Sequence, residues 1–131
     1  AGYADAGVDA VVSPFIEDMA RAYRFADLVL CRSGAMTVSE LMISRRGSIL
    51  VPFPHAIYDH QTVNARVLVD AGAAELLPEA DLTAERLGQT LARLAAAPKQ
   101  LQLMAWKAGE LARPEAAAEV VDTMYRLAGV P

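Results

Sequence analysis

Cysteine is nearly absent: Cys31 stands alone among 131 residues, so no internal disulfide can form and zinc sites built on paired cysteines are excluded. A reducing, cytoplasmic setting is the matching expectation. Histidine is almost as scarce. A metal centre would need more ligands than His55, Asp59 and His60 bring to one loop, so neither a metal nor a cofactor is expected. No block of like charge occurs, and 12 basic against 16 acidic residues leave a net charge of −4. Without a basic footprint, a nucleic-acid binder relying on phosphate neutralisation is excluded. Every apolar run falls short of the roughly 18 residues that a membrane span requires. The start carries Asp5 in place of a positive region followed by an apolar core, so it is no secretory signal, and it lacks an initiator methionine. The first residues read as the end of a helix closing near Gly7, which predicts a piece of a longer protein.

What is present is apolar and patterned. The 54% hydrophobic content against 21% charged residues excludes a disordered chain, although alanine inflates the first figure. The length fits one domain, taken as 1–131 with no internal boundary. Hydrophobic runs alternate with helical periods, as in an α/β unit with parallel strands. Strands are expected at residues 10–13, 27–31, 48–52 and 73–77; the second and third are apolar throughout, as strands covered on both faces should be. Helices are expected over 17–25, over a stretch where Val38, Leu41 and Met42 face inward, and over 59–71, with Asp59 as cap and Gly72 as stop. After Pro78 three helical patterns follow without a strand. Thr83 is the N-cap of the first, with Leu87, Leu91 and Leu94 as its buried stripe. Leu101, Met104, Ala105 and Ala108 make the second stripe. Pro114 opens the last helix, whose Ala117, Val120, Val121, Met124 and Leu127 face one way.

In open parallel sheets ligands bind beyond the carboxyl ends of the strands. The segment from Cys31 through Arg32, Ser33, Gly34, Ala35 and Met36 to Thr37 is a small, glycine-bearing turn from a strand into a helix. Its backbone N–H groups can approach an anion there, although Ser and Gly also serve ordinary turns. Glu40 could accept both hydroxyls of a ribose. Equally, Thr37-Val38-Ser39-Glu40 matches a capping box, in which Glu40 returns to the threonine N–H. His60, Gln61 and Asn64 share one face at the start of a helix and offer groups suited to sugar hydroxyls; a solvated polar face is the alternative. Arg32 is a phosphate partner or an ordinary ion-pair residue, and Cys31 reads as a buried small hydrophobe.

Phe15-Ile16-Glu17-Asp18-Met19, then Ala26-Asp27-Leu28-Val29-Leu30-Cys31-Arg32-Ser33-Gly34-Ala35-Met36-Thr37-Val38-Ser39-Glu40, then Val51-Pro52-Phe53-Pro54 and Asp59-His60-Gln61-Thr62-Val63-Asn64-Ala65 together resemble the donor half of the MurG family. Its members transfer N-acetylglucosamine from UDP-N-acetylglucosamine to lipid I, making lipid II for peptidoglycan. The resemblance runs from about Tyr3 to the C-terminus. It implies an α/β fold with a Rossmann-like parallel sheet, the partial C-terminal domain of a GT-B glycosyltransferase, followed by C-terminal helices.

Carried over by position, Phe15 and Ile16 would hold the uracil through their backbone and Glu40 the ribose. Gly34, Ala35, Met36 and Thr37 would face the diphosphate, and His60 and Gln61 the N-acetylglucosamine. Arg32, Ser33 and Asn64 are further candidates. The resemblance assigns no catalytic residue to this chain and no metal. The acceptor site, the base and the membrane-facing patch belong to the family's N-terminal domain, which implies a peripheral position on the inner face of the membrane and no turnover by these residues alone. It also implies an unpaired sheet edge and an uncovered face on the last helix. One departure stands out: Arg45-Arg46-Gly47 occupies the place of the family's usual Gly-x-Pro. Two other readings of the residues are a non-catalytic α/β nucleotide-binding or regulatory module, and a helical interaction domain using residues 83–127.

Overall fold

The computed structural model describes residues 2–54 and 59–129. In chain order the elements are α1 (Gly2–Asp5), α2 (Met19–Phe25), β1 (Val29–Cys31), α3 (Ala35–Ser44), β2 (Ser48–Leu50), α4 (His60–Asp70), β3 (Ala74–Leu76), a 3-10 turn (Glu79–Asp81), α5 (Ala84–Ala95), α6 (Pro98–Glu110) and α7 (Ala116–Ala128). The strands form one parallel sheet in the order β1-β2-β3, with Leu30 opposite Ile49 and Ile49 opposite Glu75. α3 and α4 make the crossovers, the connection that parallel strands require.

Strand alternation divides the core. Leu50 points to one face, where it joins Tyr23, Val38, Leu41, Ala65, Leu68 and Ala108. Ile49 and Val51 point to the other, with Leu77, Leu94 and Met104. Both faces of β2 are therefore covered, which is why its sequence is apolar without alternation. The predicted stripes of α5 and α6 meet this second layer through Leu94 and Met104, while Leu91 stays exposed.

Three of the four expected strands form, and residues 10–13 do not. They have no regular structure and Val11 is 96% exposed. Short runs gain a place in a sheet only through ladder bonds. Pro14 lacks the N–H to extend one, and the Ser13 hydroxyl instead turns back to the Phe15 carbonyl at 2.5 Å. The outer edge of β1 is left unpaired among the described residues.

Several helix signals hold. Gly7 and Gly72 take positive φ at helix exits, and Thr83 accepts from the Arg86 N–H at 3.1 Å. Asp18 caps α2 through the Arg21 N–H at 2.8 Å. Asp59 does stand at the N-cap of α4, but in the left-handed region (φ 54°) and with no side-chain cap bond. α7 begins at Ala116, two residues beyond Pro114. Its apolar stripe covers nothing: no α7 residue is buried, and Val120, Val121, Met124 and Leu127 are all exposed.

The exit of α3 explains what became of the Gly-x-Pro position. Arg45 caps the helix in the left-handed conformation (φ 54°), its N–H reaching Leu41 and Met42 carbonyls, and the Arg46 N–H returns to the Leu41 carbonyl at 3.0 Å. This is the terminus that glycine usually fills. The Arg45 stem lies against Gly109 of α6, where an added Cβ would sit 2.8 Å from Arg45 Cγ.

Candidate functional site

The strand-exit loops converge at the carboxyl edge of the sheet. β1 runs through Arg32, Ser33 and Gly34 into α3, and β2 through Val51, Pro52 and Phe53 towards α4. Gly34 is the N-cap of α3, and the first helical bond is Val38 N–H to the Gly34 carbonyl at 3.0 Å. The N–H groups of Ala35, Met36 and Thr37 therefore precede the helical ladder, at the positive end of a ten-residue helix. This arrangement suits a phosphate.

The helix start also bears on Glu40. Because α3 begins at Ala35, Thr37 lies inside its first turn, and the capping-box alternative is overturned. Glu40 instead accepts a hydrogen bond from the Tyr23 hydroxyl, 2.9 Å from Oε2. Burial first, then the hydrogen bond to Glu40 and its charge, hold the Tyr23 phenol well above its ordinary value, so Tyr23 is the donor. Beside this pair lies an apolar depression of about 350 Å³, walled by Met19, Ala20, Tyr23 and Ile43, with Ser39 and Glu40 at its rim. A second depression, at Ala35 and Met36, shares Ser39 and Glu40 with the first.

Gln61 ties the two loops together. Its Oε1 accepts from the Phe53 N–H at 2.9 Å and the Ser33 N–H at 3.3 Å, which fixes the amide orientation and leaves Nε2 as the donor end. Ser33, fully buried, donates its hydroxyl to the Gln61 carbonyl at 2.7 Å, and Asn64 Nδ2 donates to the Ser33 carbonyl at 3.1 Å. Ser33 and Asn64 thus hold α4 against the β1 exit. His60, the first residue of α4, is exposed beside them.

Arg32 serves the loops as well. Nη1 donates to the Val51 and Pro52 carbonyls at 3.3 and 3.2 Å, the guanidinium lies 5.5 Å from the Phe53 ring centroid, and Nη2 pairs with Glu79 beyond β3. The ion-pair reading of Arg32 is the one this geometry favours. Both partners are more than a third exposed, so the pair contributes under about 1 kcal/mol, and the backbone bonds matter more.

Phe15 and Ile16 are 75% and 48% exposed and line neither depression. Cys31 is half-buried rather than fully so, and burial pushes its thiol up to about 11, which makes it a poor nucleophile at neutral pH. His55 lies outside the described residues. Among the described residues no group of three or more His, Cys, Asp or Glu is placed to hold a metal. Sequence reasoning missed Tyr23 and the clasp from Arg32 to Glu79.

The model of the glycosyltransferase family 28 C-terminal domain matches residues 2–120. The chain belongs to this family. A protein of Myxococcus xanthus, named UDP-N-acetylglucosamine–N-acetylmuramyl-(pentapeptide) pyrophosphoryl-undecaprenol N-acetylglucosamine transferase, is 56% identical over 126 residues, covering 96% of this chain and 33% of that protein. A protein of the same name from Chromohalobacter salexigens is 57% identical over 119 residues, covering 91% of this chain and 32% of its own. The crystal structure of MurG from Acinetobacter baumannii matches with a TM-score of 0.89 at 44% identity, covering 95% of this chain and 38% of that one. The chain thus spans about a third of the length of its curated relatives. The expected fold class holds: an α/β, Rossmann-like parallel sheet with C-terminal helices, as in the C-terminal domain of a GT-B glycosyltransferase.

Proposed function

We propose that this chain forms the UDP-N-acetylglucosamine-binding part of an inverting transferase that delivers N-acetylglucosamine to lipid I. The observation that carries the reading is the juxtaposition, at one sheet edge, of a helix N-terminus at residues 35–37, a carboxylate at Glu40 and the amide of Gln61. These are, in turn, groups for a diphosphate, a ribose diol and a hexose. The names of the Myxococcus and Chromohalobacter relatives supply donor and acceptor, and support a transferase over a non-catalytic module.

In the reaction the acceptor 4-hydroxyl oxygen attacks the anomeric carbon, the bond from that carbon to the diphosphate breaks, and UDP departs. The hydroxyl proton passes to a base that we assign, with the lipid contacts, to the part of the enzyme outside these residues. The α3 N-terminus stabilises the charge that develops on the leaving diphosphate. Phe15 and Ile16 are assigned to the uracil and His60 to the sugar beside Gln61. Arg32, Ser33 and Asn64 are assigned to holding the loops rather than to the ligand. Among the described residues no helix is long and apolar enough to cross a membrane. A peripheral place on the cytoplasmic face of the membrane, where lipid I would be met, is part of the proposal.

Titration of the chain with UDP-N-acetylglucosamine and with its adenosine counterpart tests the reading. The uridine compound should bind more tightly, and Glu40→Ala should weaken it by about 1.5–3 kcal/mol, the worth of a hydrogen bond to a charged group. Equal affinity for the two nucleotides would defeat it.

A further inference from the structure

Glu40 sits on an exposed face of α3, and an exposed glutamate with freely turning side-chain bonds would have to be ordered each time a ligand bound. Tyr23 removes that freedom. Its ring is buried in the layer formed with Val38 and Leu41, only 6% exposed, and it comes from a different helix, α2. Its hydroxyl is therefore a fixed donor, and Oε2 of Glu40 is the atom it holds, at 2.9 Å. A carboxylate offers about four lone-pair positions. One is taken, so Oε1 and the remaining position on Oε2 are left to accept a pair of neighbouring hydroxyls above the apolar depression.

We propose that Tyr23 is the positioning residue for the Glu40 carboxylate, and that it thereby sets the preference of the site for a ribose bearing both the 2′- and 3′-hydroxyls over a deoxyribose. This rests on the reading of Glu40 as the ribose acceptor. A diol spans two acceptor positions and rewards a carboxylate already turned towards it. A single hydroxyl is satisfied by one oxygen in many orientations and gains little from the restraint. Burial and the neighbouring carboxylate keep the phenol protonated through the neutral range, so the donor is present throughout that range.

The test compares UDP with 2′-deoxy-UDP on the chain and on its Tyr23→Phe and Glu40→Ala variants, with dissociation constants taken from NMR titration. The unaltered chain should prefer UDP by about tenfold, the worth of one hydrogen bond to a charged group. Tyr23→Phe should bring that preference down to about two- or threefold while leaving the affinity for 2′-deoxy-UDP unchanged. Equal weakening of both ligands, or an unchanged ratio, would make Tyr23 a packing residue only and overturn the proposal. If the unaltered chain shows no preference and Glu40→Ala binds UDP as before, the ribose reading of Glu40 has failed and the proposal falls with it. A second measurement needs no change at Tyr23: in protein labelled with ¹³Cζ-tyrosine, and assigned by replacing the other tyrosines one at a time, UDP should move the Tyr23 resonance and 2′-deoxy-UDP should move it less. Identical shifts would refute the coupling even if Tyr23→Phe did not fold.

Discussion

Gly109 lies inside α6, where alanine is ordinarily better by about 1 kcal/mol. Here the exchange should be harmful. A Cβ at 109 would meet Arg45 Cγ at 2.8 Å and Cδ and Nε at 3.0 Å each. Ordinary carbon contacts lie near 3.5–4.0 Å, so the arginine stem must swing out of its rotamer or α6 must move, at an overpacking cost of about 1–3 kcal/mol. Gly109→Ala alone should therefore destabilise by about 1 kcal/mol, the difference between that cost and the propensity gain. Arg45→Gly frees the space and removes a left-handed non-glycine residue, a gain of about 1 kcal/mol that is offset by the larger entropy of the unfolded chain and the lost stem contacts. In that background Gly109→Ala should stabilise by about 1 kcal/mol. Urea denaturation of the four proteins closes the cycle, with an expected coupling of about 2 kcal/mol. If Gly109→Ala shifts stability equally in both backgrounds, within about 0.5 kcal/mol, the contact is not what excludes a side chain at 109.

Gln61→Glu separates two roles: the carboxylate still accepts the Ser33 and Phe53 N–H groups but loses the Nε2 donor, so UDP-N-acetylglucosamine should weaken in calorimetry while UDP and the melting temperature hold. His60→Ala should likewise spare UDP; an equal loss for both ligands would move either residue away from the hexose. Ser48, wholly buried at the start of β2, finds no partner for its hydroxyl among the described residues. Ser48→Ala should therefore hold or raise stability, by up to about 1 kcal/mol in urea denaturation, and a loss larger than that would show a hidden partner. Stability should also fall as pH rises above 9. The folded state keeps protons on Cys31 and Tyr23, both raised, that the unfolded state has begun to release. Cys31→Ala should flatten part of that decline between pH 9 and 11, and an unchanged slope in pH-dependent denaturation would remove Cys31 from the account.

The strands centred on Leu30 and Ile49 were legible as uninterrupted apolar runs, but only β2 is covered on both faces as that pattern predicts; Leu30 of β1 is 45% exposed. Residues 10–13 carry a weaker version of the same signal. They failed to form because pairing depends on a neighbour that hydrophobicity does not report. At the site, Gly34 and Glu40 were legible as turn and helix-face positions, but local spacing could not choose between a capping box and a ligand carboxylate. The capping box is removed by where α3 begins, which the turn at Ser33 and Gly34 sets. Tyr23 was invisible because its partner is 17 residues away on another helix. The structural roles of Arg32, Ser33 and Asn64 depend on loops meeting across the sheet edge, which no periodicity encodes. Arg45 is a different case: its departure from glycine was visible, and its accommodation by Gly109, 64 positions on, was not.

Cys31 gives the molecule a clock of its own. It ends β1 one residue before the Arg32–Gly34 turn, and it is the sole thiol in the chain. With its ionisation pushed up to about 11, only about one molecule in a thousand carries the reactive thiolate at pH 8. Alkylation of the native protein is therefore slow, and it accelerates whenever β1 parts from β2 and the thiol returns to water. The rate of single-site labelling thus counts openings of the strand that feeds the Arg32–Gly34 turn, without a mutation or an attached probe. A ligand that bridges α3 and α4 should slow that count in proportion to how firmly it closes the edge.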